Sequence, residues 1–286
     1  MSAAVRDIPF TRQPGARGSA WLKESYALFR KARLNWIVLL FTYYGVLLIV
    51  DLIPFIGGIA APLLKPVFAV GFLAAAWTQE SGGTPKVRQL FQGYRSNIWA
   101  LVALGAVFVI GVTAAIGATA LVDGGKLFQL VANPVPQDLD QEAAAQRLQE
   151  TLGDAEVQLG MIVGALCAIP TLLALWWAPA LVVFQDANTA TALRLSLRAA
   201  LANWRPVSRY AISVFIFGGL LPTVAGTLIS LFVPAPVGRA LALGLMLPYV
   251  FFFAATLNIS DYVSYRDVFH AGESLAPIAE RPADIH

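Results

Sequence analysis

Asn188 to Pro206 reads NTATALRLSLRAALANWRP and lies between two long apolar runs. Wound as a helix, Leu193, Leu197, Ala200, Leu201 and Trp204 fall at i, i+4, i+7, i+8 and i+11, a single apolar stripe. Thr191, Arg194, Arg198 and Arg205 fall on the other side. A short helix with a basic face, ending in Trp where a hydrophobic run begins, suits the membrane interface. Two further stretches precede apolar runs in the same way: Trp21 to Trp36 (WLKESYALFRKARLNW) and Pro85 to Trp99 (PKVRQLFQGYRSNIW). The first and third share Arg-x4-Asn-Trp, as Arg30, Asn35, Trp36 and Arg198, Asn203, Trp204. The second carries a looser form in Arg95, Asn97 and Trp99.

Composition excludes a soluble domain. Of 286 residues, 58% are apolar and 13% charged, against about 45–50% and 25% in soluble domains. Six apolar stretches with at most one charged residue each approach or exceed the ~20 residues that cross a hydrocarbon core: about 36–55, 60–78, 98–122, 157–184, 207–233 and 240–257. The expected fold is an all-α polytopic membrane protein. Its six transmembrane helices pair into three hairpins, each preceded by an amphipathic interfacial helix. Each second span holds a proline followed by apolar residues, at Pro66, Pro179 and Pro248, so a threefold internal repeat is expected. Residues 1–18 read as a flexible tail, 19–269 as the membrane domain and 270–286 as a second tail. Polar residues from Asn258 onward place the end of the sixth span near Leu257. The first 20 residues contain no apolar signal-peptide core, so the first span is expected to direct insertion.

The net charge of +3 gives no basic patch for nucleic acid, but the distribution of the basic residues is informative. Sixteen of the 20 Lys and Arg fall in the termini and the two loops on their side, and four (Lys65, Lys126, Arg147, Arg239) fall opposite. The positive-inside rule then puts both termini in the cytoplasm. An acidic insert, residues 123–156, faces outward with seven acidic against two basic residues. Within it, Asp138, Asp140 and Glu142 resemble a cation loop but lack the glycine turn, and fit the N-terminus of a short helix over 140–152.

Candidate functional residues are few. Asp51 and Lys65 stand seven residues either side of Gly58, so a turn centred there sets them at equal depth. They can be interfacial anchors, a paired clamp or part of a transport site. Gly160, Gly164 and Ala168 form a small-residue ridge suited to close helix packing. Cys167, the only cysteine, reads as a small buried residue.

Several of these segments resemble a known group. Trp21-Leu22-Lys23, the two Arg-x4-Asn-Trp units and Phe91-Gln92-Gly93-Tyr94-Arg95 resemble a group of uncharacterised proteobacterial six-helix inner-membrane proteins. More distantly, they resemble the membrane domain found on some glycerophosphodiester phosphodiesterases. The likeness spans about residues 19–269. It implies fold and membrane, and no catalytic residue carries over.

No Walker loop, Gly-x-Ser-x-Gly elbow, His-Glu-x-x-His helix or Cys-x-x-Cys pair occurs, so the chain is not read as an enzyme and calls for no cofactor or metal. Membrane lipids are its expected partners, with other membrane proteins as a second class. A membrane scaffold or accessory protein is the first functional reading, and a small-solute or lipid transporter the alternative. The topology is directly testable. Reporters fused after His286 should report cytoplasm and reporters within residues 130–150 the exterior; a cytoplasmic signal from the insert would overturn the six-span topology.

Overall fold

The computed structural model describes residues 8–54, 57–132 and 141–270. Among these residues the chain is helical throughout, and six helical runs are long and apolar enough to cross a membrane. The first hairpin consists of α1 (Arg17–Lys31), α2 (Arg33–Asp51) and α3 (Gly57–Glu80). The second begins with the single turn α4 (Val87–Leu90) and a 3₁₀ turn (Gln92–Arg95), then α5 (Ile98–Asp123). It continues through α6 (Lys126–Ala132), α7 (Gln141–Gly153), α8 (Ala155–Trp176) and α9 (Ala178–Phe184). The third consists of α10 (Thr189–Ala202), α11 (Trp204–Val214), a π-helical stretch (Phe215–Leu220), α12 (Leu221–Phe232) and α13 (Ala235–Phe269).

Asparagines open two of these helices. The Asn97 side chain accepts from Ala100 N at 3.4 Å, and Asn188 from Thr191 N at 2.9 Å. The expected helix over 85–99 is instead two short turns. Lys86 precedes its first turn. Close packing accounts for the two short turns. A Cβ at Gly93 would fall inside the Val67 carbonyl, and one at Gly71 would lie 2.5 Å from Leu90 Cα. The Phe-Gln-Gly-Tyr-Arg segment is thus pressed onto α3 rather than laid along the membrane surface.

The densest packing lies at the end of the bundle that carries both termini. Trp21, Trp36, Trp177, Tyr262 and Tyr265 are fully buried there, with Phe68, Leu39, Leu90 and Leu101. Residues 8–16, expected to be a loose tail, are strapped across this end. Thr11 N donates to Val268 O at 2.7 Å, and Phe10 meets Phe269 edge-on. Nor does the sixth span stop at Leu257. Helix α13 runs 35 residues, about 52 Å, and its last turns form a pillar of this core. Of the three spans expected to kink at proline, α3 and α13 run helically through Pro66 and Pro248, while the second hairpin breaks just before Pro179. Residues 138–140 lie outside the described residues, as do 271–286.

At the opposite end, Gly124 (φ 62°) and Gly125 (φ 88°) turn the chain out of α5. The buried Asp123 carboxylate accepts from Gly125 N and Leu127 N. Lys126 Nζ bridges Asp154 at 2.6 Å and Glu156 at 2.8 Å, tying the base of the insert together. That contact raises the ammonium pKa and lowers that of the Asp154 carboxyl.

Helices α5 and α8 make the most extensive helix contact, and glycines set its closeness. A Cβ at Gly164 would lie 2.7 Å from Thr119 Cγ2 and 3.1 Å from Ala115 O; at Gly160 the nearest atoms are 3.4 Å away. Gly117, on the same α5, faces open space. Gly164→Leu should therefore destabilise the folded protein by about 1–3 kcal/mol, the usual overpacking range, and Gly117→Leu should not. Thermal unfolding in detergent, followed by tryptophan fluorescence, checks this; equal melting of the two variants would reject the contact.

Candidate functional site

Two polar arrangements stand out in a bundle that is otherwise apolar. The first is a charged knot on the last turns of α13. Arg266 contacts Glu80, Glu24 (3.0 Å) and Asp267 (3.2 Å), and Arg17 contacts Glu24 (2.7 Å) and Asp267. The Trp21 indole donates to Asp267 at 2.9 Å, and the Tyr262 hydroxyl to Glu80 at 2.6 Å. Hydrogen bonding to Glu24 is the main cause that raises the Arg17 pKa. Each cation here has carboxylate partners, so the knot clamps α1, α3 and α13 together and leaves no charge unspent.

The second is a cavity of about 870 Å³ between α8 and α11. Its walls are apolar, with Leu172, Leu175, Val207 and Val214 among the lining residues. Leu201, Trp204 and Phe215, each more than half exposed, also line it, so it opens sideways within the spans. Its polar lining is Lys65, Ser208, Tyr210 and Asp261.

The break between α8 and α9 shapes the end of this cavity nearest α10. Pro179 has no N–H and crowds the preceding turn, and here, unlike at Pro66 and Pro248, the helix breaks before it. Ser196 of α10 bridges the gap. Its hydroxyl donates to Leu173 O at 2.8 Å and accepts from Trp177 N at 3.1 Å. Those two groups would bond each other in an unbroken helix. The break aims two adjacent indoles at α13: Trp177 donates to Ser264 Oγ at 3.0 Å, and Trp176 to Asp261 Oδ1 at 3.1 Å. Trp176 also packs on Tyr210, ring centres 5.0 Å apart, while the Tyr210 hydroxyl pairs with Ser260 at 2.6 Å. Sequence reading missed Asp261 because it ended the span at Leu257. The available signal was Asn258, Asp261, Ser264 and Asp267 recurring every third residue with no glycine or proline to stop the helix.

The residues singled out from sequence fall into different environments. Asp51 and Lys65 are not paired. Helix α3 already begins at Gly57, so the turn is centred near Pro54 rather than Gly58. Lys65 consequently lies about 12 Å along α3 from the turn. Its ammonium sits 5.0 Å from the centre of the Phe108 ring, while Asp51 is exposed at the end of α2.

The three interfacial units also diverge. Trp36 is fully buried and donates to Gln79 at 2.7 Å, and Asn35 bonds Pro85 O at 3.0 Å. Trp99 and Trp204 are 80% and 59% exposed. Asn203 is buried and holds the N-terminal strap, accepting from Gln13 N at 2.7 Å and donating to Thr11 O at 3.2 Å. Arg30 lies over Tyr26 at 5.8 Å, and Arg198 is exposed; Arg95 closes the 3₁₀ turn and Asn97 caps α5. On α10 the buried face is Ala192, Leu195, Ser196, Ala199 and Ala200, leaving Leu201 and Trp204 to the cavity. Gly160 and Gly164 are buried on α5 and Ala168 is half-buried, whereas Cys167 is exposed on the outer face of α8 rather than buried. Among the described residues no group of three His, Cys, Asp or Glu side chains could hold a metal ion.

One comparison with known proteins is informative. The chain is 28% identical over 271 residues to a chain of Burkholderia thailandensis described as a probable inner membrane protein, covering 93% of this chain and 96% of that one. No family model matches, and no solved structure matches. The comparison lends no support to the likeness to phosphodiesterase membrane domains. Together with the six apolar helical runs, it identifies an integral, multipass inner-membrane protein.

The unpaired state of Asp51 and Lys65 has a measurable consequence. Asp51→Asn and Lys65→Gln should change detergent stability additively, within about 0.5 kcal/mol. A double-variant change that departs from the sum of the two single changes by clearly more than about 0.5 kcal/mol would show that the charges do interact.

Proposed function

We propose that this inner-membrane protein takes a lipid or lipid-like amphiphile from the bilayer into the cavity between α8 and α11, as a lipid permease or carrier rather than a scaffold. The carrying observation is the cavity itself. About 870 Å³ of space, walled by apolar residues and open between exposed Leu201, Trp204 and Phe215, falls within the size range of ligand sites. A scaffold working only through its outer helix faces needs no such space. The basic asymmetry supports an orientation with both termini in the cytoplasm. Asp261 then lies toward the cytoplasmic leaflet, and Lys65 lies deeper in the bilayer.

Ala211 is exposed and lines the cavity, so a large side chain there fills the space without entering the packed core. Wild-type protein purified in mild detergent should retain tightly bound lipid by native mass spectrometry. Ala211→Trp should retain several-fold less at an unchanged melting temperature. Equal retention in both proteins would reject the cavity as the binding site.

A further inference from the structure

We infer that the ligand of this cavity is a cationic amphiphile, its positive head against Asp261 and its alkyl chain between α8 and α11. The inference rests on reading the cavity as a ligand site and adds the charge of what enters it. Asp261 Oδ1 accepts from the Trp176 indole at 3.1 Å, and the carboxylate lines the cavity. Among the described residues it has no cationic partner. The nearest cation along α13, Arg266, is held by Glu24, Glu80 and Asp267.

A carboxylate at membrane depth is costly unless something positive meets it, and such residues mark ligand or ion pathways. The surroundings suit a cation with an apolar body. Trp176 and Tyr210, packed against each other, line the cavity beside the acid and supply apolar wall for the body of such a ligand.

The other end of the cavity fixes the ligand's direction. The Tyr262–Glu80 hydrogen bond sets Asp261 level with the end of α3. Lys65 is 15 residues earlier on α3, about 22 Å along the helix axis. A cationic head is therefore drawn to Asp261 and repelled from the Lys65 end, where the apolar chain belongs. Arg205 and Arg209 stand on α11 outside the cavity lining, so an anionic head would be held at the surface instead.

The test uses the full chain in neutral detergent and three probes of equal chain length: decyltrimethylammonium, decanol and decyl phosphate. Binding is measured by equilibrium dialysis. The cation should bind wild type at least about tenfold more tightly than the alcohol, and Asp261→Asn should weaken cation binding roughly tenfold to hundredfold. Alcohol binding should be unchanged, because the amide oxygen still accepts from Trp176. Asp261→Glu should restore the cation preference if the charge, rather than the fold, is responsible.

Equal binding of cation and alcohol, or tightest binding of the phosphate, would overturn the inference. The cavity reading would still stand if Ala211→Trp abolished binding of every probe. If Ala211→Trp bound all three as wild type does, the cavity reading would fail first and take this inference with it.

Discussion

Within a bilayer every backbone N–H and C=O needs a partner from the protein, because no water is present to supply one. The break before Pro179 violates that requirement, and the Ser196 hydroxyl repairs it by joining Leu173 O and Trp177 N. Much of the architecture follows from this repair. It fixes α10 against the second hairpin and lets α9 turn away from α8. It also commits Trp176 and Trp177 to side chains on α13. The π-helical stretch shows the same constraint at work, since the Tyr249 hydroxyl donates to the carbonyl of Phe217. A serine or tyrosine at such a position is a backbone partner first and a polar residue second.

The tight end and the open end of the bundle are consequences of this arrangement. Around the broken helix, aromatic rings interlock: Trp176 stacks on Trp177, and Trp21 meets both Trp176 and Tyr210 edge-on. Edge-to-face and offset contacts of this kind add to area burial and fix orientation. The charged knot around Arg266 closes the same end. Toward the opposite face the helices splay, and neither the π-helical stretch nor α12 buries a residue inside the protein. The cavity lies where the packed region gives way to the splayed one. It is the space left when α11 is anchored to α1 at its start and to α13 beyond.

Legibility in the sequence followed how local each determinant was. The six spans depend on runs of apolar residues, so they could be read directly. Which way a side chain faces depends on what packs against it, and sequence likeness misled there. Trp36, Trp99 and Trp204 occupy equivalent places in their units, yet Trp36 is buried against Gln79 while the other two are exposed. On α10 the stripe of Leu193, Leu197, Ala200, Leu201 and Trp204 read as one apolar face at the membrane interface. The helix buries Ala192, Leu195, Ser196, Ala199 and Ala200, mostly small residues that let it approach the broken helix closely. Depth was misjudged for the same reason: Gly57 and Gly58 looked like a turn, but they begin a helix, which moved Lys65 away from Asp51. Asp261 went unread because polar residues were taken to end the span, when the helix carried them on into the core.

The identity of residue 261 is the remaining clue to function. Accepting one hydrogen bond from Trp176 is work that an asparagine or glutamine oxygen does equally well, without a charge to desolvate. Two other carboxylates among the described residues, one buried and one half-buried, justify their charge locally. Asp123 accepts from two backbone N–H groups at the start of α6, and Asp267 meets Arg17, Arg266 and the Trp21 indole. Asp261 has the indole and the cavity. Unlike Asp267, it is not surrounded by cations of its own chain, and removing two charges from water is offset only when they meet at close range. On the proposed reading the second charge comes from outside the chain, by way of the apolar cavity that the carboxylate lines. A small hydrated ion would give up its water to enter an apolar wall, at high cost. An amphiphile would not, because its apolar part is already dissolved in the bilayer and the cavity opens to it from the side.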